Sequence, residues 1–247
     1  MAEALGIAGG PAVIFTSALL RRNPARRYDD MMMTAGFIGY YVLGLIPLVL
    51  LCQPNAPSYD EAFLRMDHAI GFDTMALVRW TFAHRWAWGT LDVVYCLLGP
   101  LIGLAWVAEQ NRQLRRALLV GGIGCFLFFS LFPAIGPSRY DWAHRVASAG
   151  VPRNCMPSMH LAWALLVAMN ARRRELQIAF WSYVVLLAIS TIGLGQHYVV
   201  DLLAAIPYAA ASQKVARWVP SLGIAKLPPA RKRKPLAPEA SKREGQS

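Results

Sequence analysis

Charge is scarce in this sequence. Asp, Glu, Lys and Arg make up 16% of its 247 residues while 56% are hydrophobic, whereas about a quarter of an ordinary soluble domain is charged. That imbalance argues against a water-soluble globule and makes a lipid bilayer the expected solvent. Acidic residues are the scarcer sign, 14 against 25 basic, which leaves a net charge of +11. The basic residues fall in short runs between apolar stretches rather than on one face, so no nucleic-acid partner is expected. Cysteine is sparse too: Cys52, Cys96, Cys125 and Cys155 show no CxxC or other metal-ligand spacing, so neither a metal nor a cofactor is expected. Cys52 and Cys155 could face the same side, but two residues make no disulfide framework. No internal repeat and no second folded domain can be discerned. The first apolar stretch has Glu3 as its only early charge, with arginines after it instead of before it, which disfavours a cleaved signal peptide. Gly6, Gly9, Gly10 and Pro11 suit it to the interface or to packing on a bundle better than to spanning.

Long apolar runs are what the chain has instead. Six segments approach the roughly twenty residues a spanning helix needs: 34–52, 90–108, 117–135, 158–171, 176–194 and 198–219, the fourth short and the last amphipathic. The expected fold is therefore an all-α integral membrane protein, a six-transmembrane-helix bundle. Arginine and lysine in short connections resist translocation. Arg21, Arg22, Arg26 and Arg27 precede the first span, Arg112, Arg115 and Arg116 join the second and third, and Arg172, Arg173 and Arg174 join the fourth and fifth. With the basic tail they alternate onto one side, which predicts a multi-pass protein of a plasma or inner membrane with both termini cytoplasmic. The expected organisation is 1–33 as an N-terminal cytoplasmic or interfacial segment, 34–219 as the six-helix membrane domain, and 220–247 as a disordered basic tail, either a solvated anchor or a contact for anionic headgroups.

The opposite side receives the connections 53–89 and 136–157 and a very short one around Gln196. Within the first, 59–69 and 72–83 have helical apolar spacing with Arg65, Asp67, Asp73 and Arg79 on the polar positions, predicting interfacial helices that either pack on the bundle or form a substrate-access surface.

Two of the five histidines sit at segment ends on that side, in Cys155-Met156-Pro157-Ser158-Met159-His160 and Gly195-Gln196-His197-Tyr198-Val199-Val200-Asp201. His197 and Asp201 are four apart, one helical face if helical. A carboxylate on one imidazole nitrogen fixes the tautomer and leaves the other nitrogen's lone pair free to attack an electrophile. Asp201 as a plain N-terminal cap is the competing reading. Pro157 and Ser158 open a helix, where unpaired amides and the Ser158 hydroxyl can hold an anion. His160, one turn in, can serve as acid and then base, or can simply be a satisfied polar residue inside the bundle.

The Pro157-Ser158-Met159-His160 and His197-Tyr198-x-x-Asp201 strings, one helix hairpin apart, resemble the second and third motifs of the type 2 phosphatidic acid phosphatase superfamily. Gly136-Pro137 with Tyr140, Leu161-Ala162 after the second motif and Ser190-Thr191 before His197-Tyr198 resemble its inositol phosphorylceramide synthase-like (inositolphosphotransferase) branch, the likeness covering roughly 90–208. The resemblance implies a six-helix bundle that cleaves or transfers lipid phosphates without a metal, with a lipid phosphate as substrate and membrane lipids around it. It implies His197 as nucleophile through a phosphohistidine, Asp201 as its orienting partner, His160 as general acid and Ser158 as a phosphate ligand.

Two departures stand out. The superfamily's first motif, a lysine followed after six residues by Arg-Pro, is absent, and Thr191 stands where an arginine is expected. Phosphoryl transfer still needs positive charge on the equatorial oxygens. Arg139 and then Arg153 are the candidates to supply it, with Arg145 as readily a headgroup-facing arginine; Asp92 and Tyr95 could line the same pocket. The rival reading is a non-catalytic lipid-binding or transport protein on the same helical frame.

Overall fold

Helices form along the apolar runs, and their ends are set by residues that can cap or cannot continue. The computed structural model describes residues 2–20, 58–109, 111–139 and 153–218, plus positions 31, 35 and 39. Among them are nine helices and no strand: α1 (Ala2–Leu20), α2 (Asp60–Ala69), α3 (Thr74–Ala83), α4 (Arg85–Cys96), α5 (Leu98–Glu109), α6 (Arg112–Leu131), α7 (Met159–Asn170), α8 (Arg174–Gly193) and α9 (Val199–Trp218). Apart from positions 35 and 39, the predicted span at 34–52 lies outside the described residues, as do Cys52, Tyr140, Arg145 and the basic tail.

Three helices are long and apolar enough to cross a bilayer: Arg85–Ala108, which joins α4 and α5, Gln113–Leu131 and Arg174–Gly193. The chain is a membrane protein. Its outward faces agree, since Ile123, Leu127, Val185, Leu186 and Ile189 are exposed on helices whose opposite faces are buried, an arrangement that lipid tolerates and water does not. At ~1.5 Å per residue, the twelve residues of α7 reach only ~18 Å, short of a ~30 Å hydrocarbon core. Yet α7 is the most enclosed helix: Leu161, Ala162 and every residue from Ala164 to Ala168 are buried, and it packs against α5, α6, α8 and α9. Its alanines let neighbouring backbones close in. α9 has the length to cross, but Asp201, Pro207, Gln213, Lys214 and Arg217 interrupt its apolar character. α1 packs along α5 and α4, with Ile14 and Ala18 fully buried.

The predicted third span differs at its end. α6 stops at Leu131 because Pro133 cannot donate to a helix, and 133–136 runs on without helical structure.

At one end of the bundle an amide cluster ties three helices. Asn111 caps α6 by accepting from Gln113 N at 2.9 Å and donates to Asn170 O at 3.1 Å, and Asn170 exchanges bonds with Gln213 at 2.8 and 3.1 Å. The arginine-bearing turns around 112–116 and 172–174 are at this end. The C-termini of α6 and α8 and the N-termini of α7 and α9 gather at the other, with α2 and α3 laid across them. Two of the predicted arginine groups, around 112–116 and 172–174, are thus at the same end, while Arg21, Arg22, Arg26, Arg27 and the basic tail lie outside the described residues.

Candidate active site

The histidine-bearing end is organised by two buried carboxylates on α2. Asp60 is fully buried; it accepts from Ile135 N at 3.0 and 2.9 Å, Gly136 N at 2.8 Å and Tyr198 Oη at 2.7 Å, and from the Ser58 hydroxyl. Asp67, equally buried, accepts from Val199 N and Val200 N at 3.0 Å each and from the Thr74 hydroxyl. Amides at a helix start lack intrahelical partners, so Asp67 caps α9 from another element. The expectation that Asp67 lies on the polar face of an interfacial helix is overturned: the backbone amides of α9 recruit it inward, while Arg65 remains exposed beside Glu61 and Asp73 stays at the surface, capping α3 through Ala76 N.

Held in this way, the 133–139 turn and the 194–198 turn pack back to back. Ser138 donates from both N and Oγ to Gly195 O, each at 2.9 Å. Gly136 has φ +98° and Gly195 φ +65°, and a Cβ on Gly195 would come within 2.7 Å of Ser138 Cβ and 2.8 Å of Ser138 N. The left-handed backbone alone costs a larger residue roughly 1–2 kcal/mol, before that collision. Gly195→Ala is therefore expected to cut turnover at least tenfold while helical circular dichroism is retained; an unchanged rate would show that the turn need not stay closed.

These turns carry the motif residues. Gln196 N and His197 N donate to Thr191 O at 2.9 and 3.3 Å, so the end of α8 aims the third-motif string. His197 precedes α9, and its pairing with Asp201 does not come from a shared helical face as the spacing predicts. Instead, Asp201, fully buried in the first turn of α9, folds back: its Oδ2 accepts from Tyr198 N at 2.9 Å and lies 3.5 Å from His197 Nδ1. Asp201 is both cap and imidazole partner, so the two sequence readings coexist.

The second motif arrives from α7. Ser158 caps it, its Oγ accepting from Leu161 N at 3.4 Å and its N donating to Asp201 O at 3.2 Å. The Ser158 hydroxyl hydrogen is not used in that cap. His160 faces His197, ring centroids 5.7 Å apart and planes 60° apart, and stacks on Tyr95 of α4 at 4.4 Å. Its Nδ1 is buried and has no hydrogen-bond partner among the described residues. Asp92 is half-buried one turn before Tyr95. Arg139 is half-buried directly after Ser138, whereas Arg153 is buried, two residues before Cys155. Thr191 is fully buried and its hydroxyl donates to Ala188 O at 3.0 Å, so that position brings no cation.

One neighbour was not singled out from the sequence. The Cys155 thiol lies 2.9 Å from Asp201 Oδ2, 3.1 Å from Gln196 O and 3.5 Å from His197 Nδ1. Burial, then the Asp201 and Asp60 carboxylates, push its pKa well above the ordinary thiol value. Cys155 is a free thiol, not half of a disulfide.

The sequence signature of the PAP2 superfamily matches residues 61–215, from α2 through α9, well over half of the chain. The chain belongs to the PAP2 superfamily. The match begins about thirty residues earlier than the likeness in the motif strings, taking in Asp67, α2 and α3. Superfamily membership carries a phosphatase- or phosphotransferase-type activity. No curated protein and no solved structure matches the chain.

Proposed function

We propose that this PAP2 protein transfers the phosphate-bearing group of a membrane lipid through a phosphohistidine on His197, at the extracytoplasmic face of a six-span bundle. The observation that carries this reading is the convergence of His160, His197 and Asp201 from two separate turns, with a buried, unpartnered nitrogen on His160. Asp201, beside Nδ1, favours the proton there and leaves the Nε2 lone pair for phosphorus. As the N–P bond forms, the bond to the leaving oxygen breaks and His160 protonates that oxygen. His160 then takes a proton from the acceptor hydroxyl, whose oxygen displaces His197 and regenerates the free imidazole. Ser158 and the α7 N-terminus receive the phosphate oxygens. Arg153 and Arg139 stand in for the family's missing arginine; a buried guanidinium such as Arg153 favours an anion nearby.

The arginine-bearing turns around 112–116 and 172–174, at the end opposite the histidines, support the extracytoplasmic placement, with a plasma or inner membrane and cytoplasmic termini. The likeness of the 136–140 and 190–198 strings to inositolphosphotransferases favours an alcohol acceptor, and a phosphoinositol-type headgroup as the group moved. The deciding experiment is phosphate or headgroup release by purified protein from lipid phosphates, lipid diphosphates and phospholipids, with an alcohol acceptor, inositol or a second lipid bearing a free hydroxyl, present or absent. Release without alcohol identifies a phosphatase; turnover that starts only with an alcohol acceptor identifies a transferase. Silence throughout from folded protein would overturn the enzymatic reading in favour of a lipid-binding one.

A further inference from the structure

We propose that Cys155, His197 and Asp201 form a site for a thiophilic divalent cation, zinc fitting best, and that filling it arrests the enzyme. The donors are Cys155 Sγ, His197 Nδ1 and Asp201 Oδ2, separated by 2.9 Å (S to O), 3.5 Å (S to N) and 3.5 Å (N to O). Donors in tetrahedral array ~2.0–2.3 Å from one zinc ion are roughly 3.4–3.6 Å from each other, so the two separations to His197 Nδ1 already fit and only the Cys155–Asp201 pair must open, by roughly 0.5–0.7 Å. Thiolate, imidazole and carboxylate together are a set zinc accepts.

Two further features favour a cation. All three side chains are buried at 2%, 4% and 0% exposure, so the donors are gathered and shielded from bulk solvent. Asp201 Oδ1 is also buried and has no hydrogen-bond partner among the described residues, leaving the carboxylate with unused lone pairs. The spacing rules that read no metal site from the four cysteines are blind to it, because its donors are 42 and 46 residues apart along the chain.

Arrest follows from imidazole chemistry and rests on the proposed role of His197. A neutral imidazole has one N–H and one lone pair. An ion on Nδ1 uses the lone pair there, so the ring proton moves to Nε2 and the attacking lone pair disappears. The balance is one dication in and one proton out, from the Cys155 thiol. The ion is thus an inhibitor and has no part in turnover.

The test uses full-length purified protein and cobalt(II), whose thiolate complexes absorb in the near ultraviolet. One cobalt per chain with a thiolate band, displaced by zinc, is expected. The band should vanish in Cys155→Ser and persist in the Cys96→Ser/Cys125→Ser double variant. A folded wild type without the band, or a band surviving in Cys155→Ser, overturns the site whatever the activity. Zinc inhibition is then measured with each variant normalised to its own uninhibited rate, and Cys155→Ser should need at least tenfold more zinc. Stoichiometric binding with undiminished turnover would overturn arrest and, with it, His197 as nucleophile; a protein with no turnover on any substrate still leaves the cobalt spectrum to decide the site.

Discussion

His197→Asn is expected to lower turnover by about four to six orders of magnitude, the scale seen when a covalent nucleophile is removed. Asparagine retains a polar group near Nδ1, where Asp201 Oδ2 and Cys155 Sγ each lie 3.5 Å away, and the backbone bond from residue 197 to Thr191 O is unaffected. The fold should therefore survive, which a wild-type thermal transition in detergent would verify. The missing ring nitrogen leaves nothing to form the N–P bond. A rate within tenfold of wild type would eliminate the phosphohistidine and leave His160 and the α7 N-terminus to activate water directly. If His160 is the acid proposed above, His160→Asn should be less damaging with substrates whose leaving group needs no proton.

Asp60→Ala is the change expected to harm the fold most. It removes the acceptor for Ile135 N, Gly136 N and Tyr198 Oη at once. All three donors are in buried residues, and each one left without a partner costs ~1–3 kcal/mol. The sum rivals the whole stability of an ordinary domain, so a drop of roughly 10–20 °C in the thermal midpoint is expected. Asp60→Asn should be milder, since its carbonyl oxygen keeps part of the set. Equal melting of Asp60→Ala and wild type would mean that the 133–136 turn is held by other contacts, such as Tyr59 N to Pro133 O at 2.8 Å.

Asp60 and Asp67 also show where sequence reasoning stops. Asp67 falls on the polar side of α2 when only that helix is considered, and nothing within a turn of it reveals a partner. Besides the nearby Thr74 hydroxyl, its partners are Val199 N and Val200 N, 132 and 133 residues away, and besides the nearby Ser58 hydroxyl those of Asp60 are 75, 76 and 138 away. α2 also carries Glu61, Arg65 and His68, so its composition gives no hint that two of its charges have a buried purpose. Cys155 offered no more, because a single thiol with no second cysteine nearby has no spacing to read. The His197 and Asp201 pairing was anticipated for a reason that proved wrong: the two meet because a carboxylate in the first turn of α9 reaches back to cap Tyr198 N, not because both lie on the helix.

The sequence by itself determined what depends on neighbours along the chain. Runs of apolar residues long enough for a bilayer, arginines alternating between connections, a serine and proline opening α7 and two histidine-bearing strings can all be read within a few residues, because desolvation, capping and translocation act on local segments. Only the tertiary structure decided how the strings become a site. It laid α2 on α9 and α3 against α8 and α4, buried the short α7 so that protein encloses it, and pressed Gly195 against Ser138. It also brought a thiol, an imidazole and a carboxylate within 3.5 Å of one another. The physical reason is that buried amides and carboxylates must find partners wherever the chain can deliver them, and the partner that satisfies each is chosen by packing, not by its distance along the sequence.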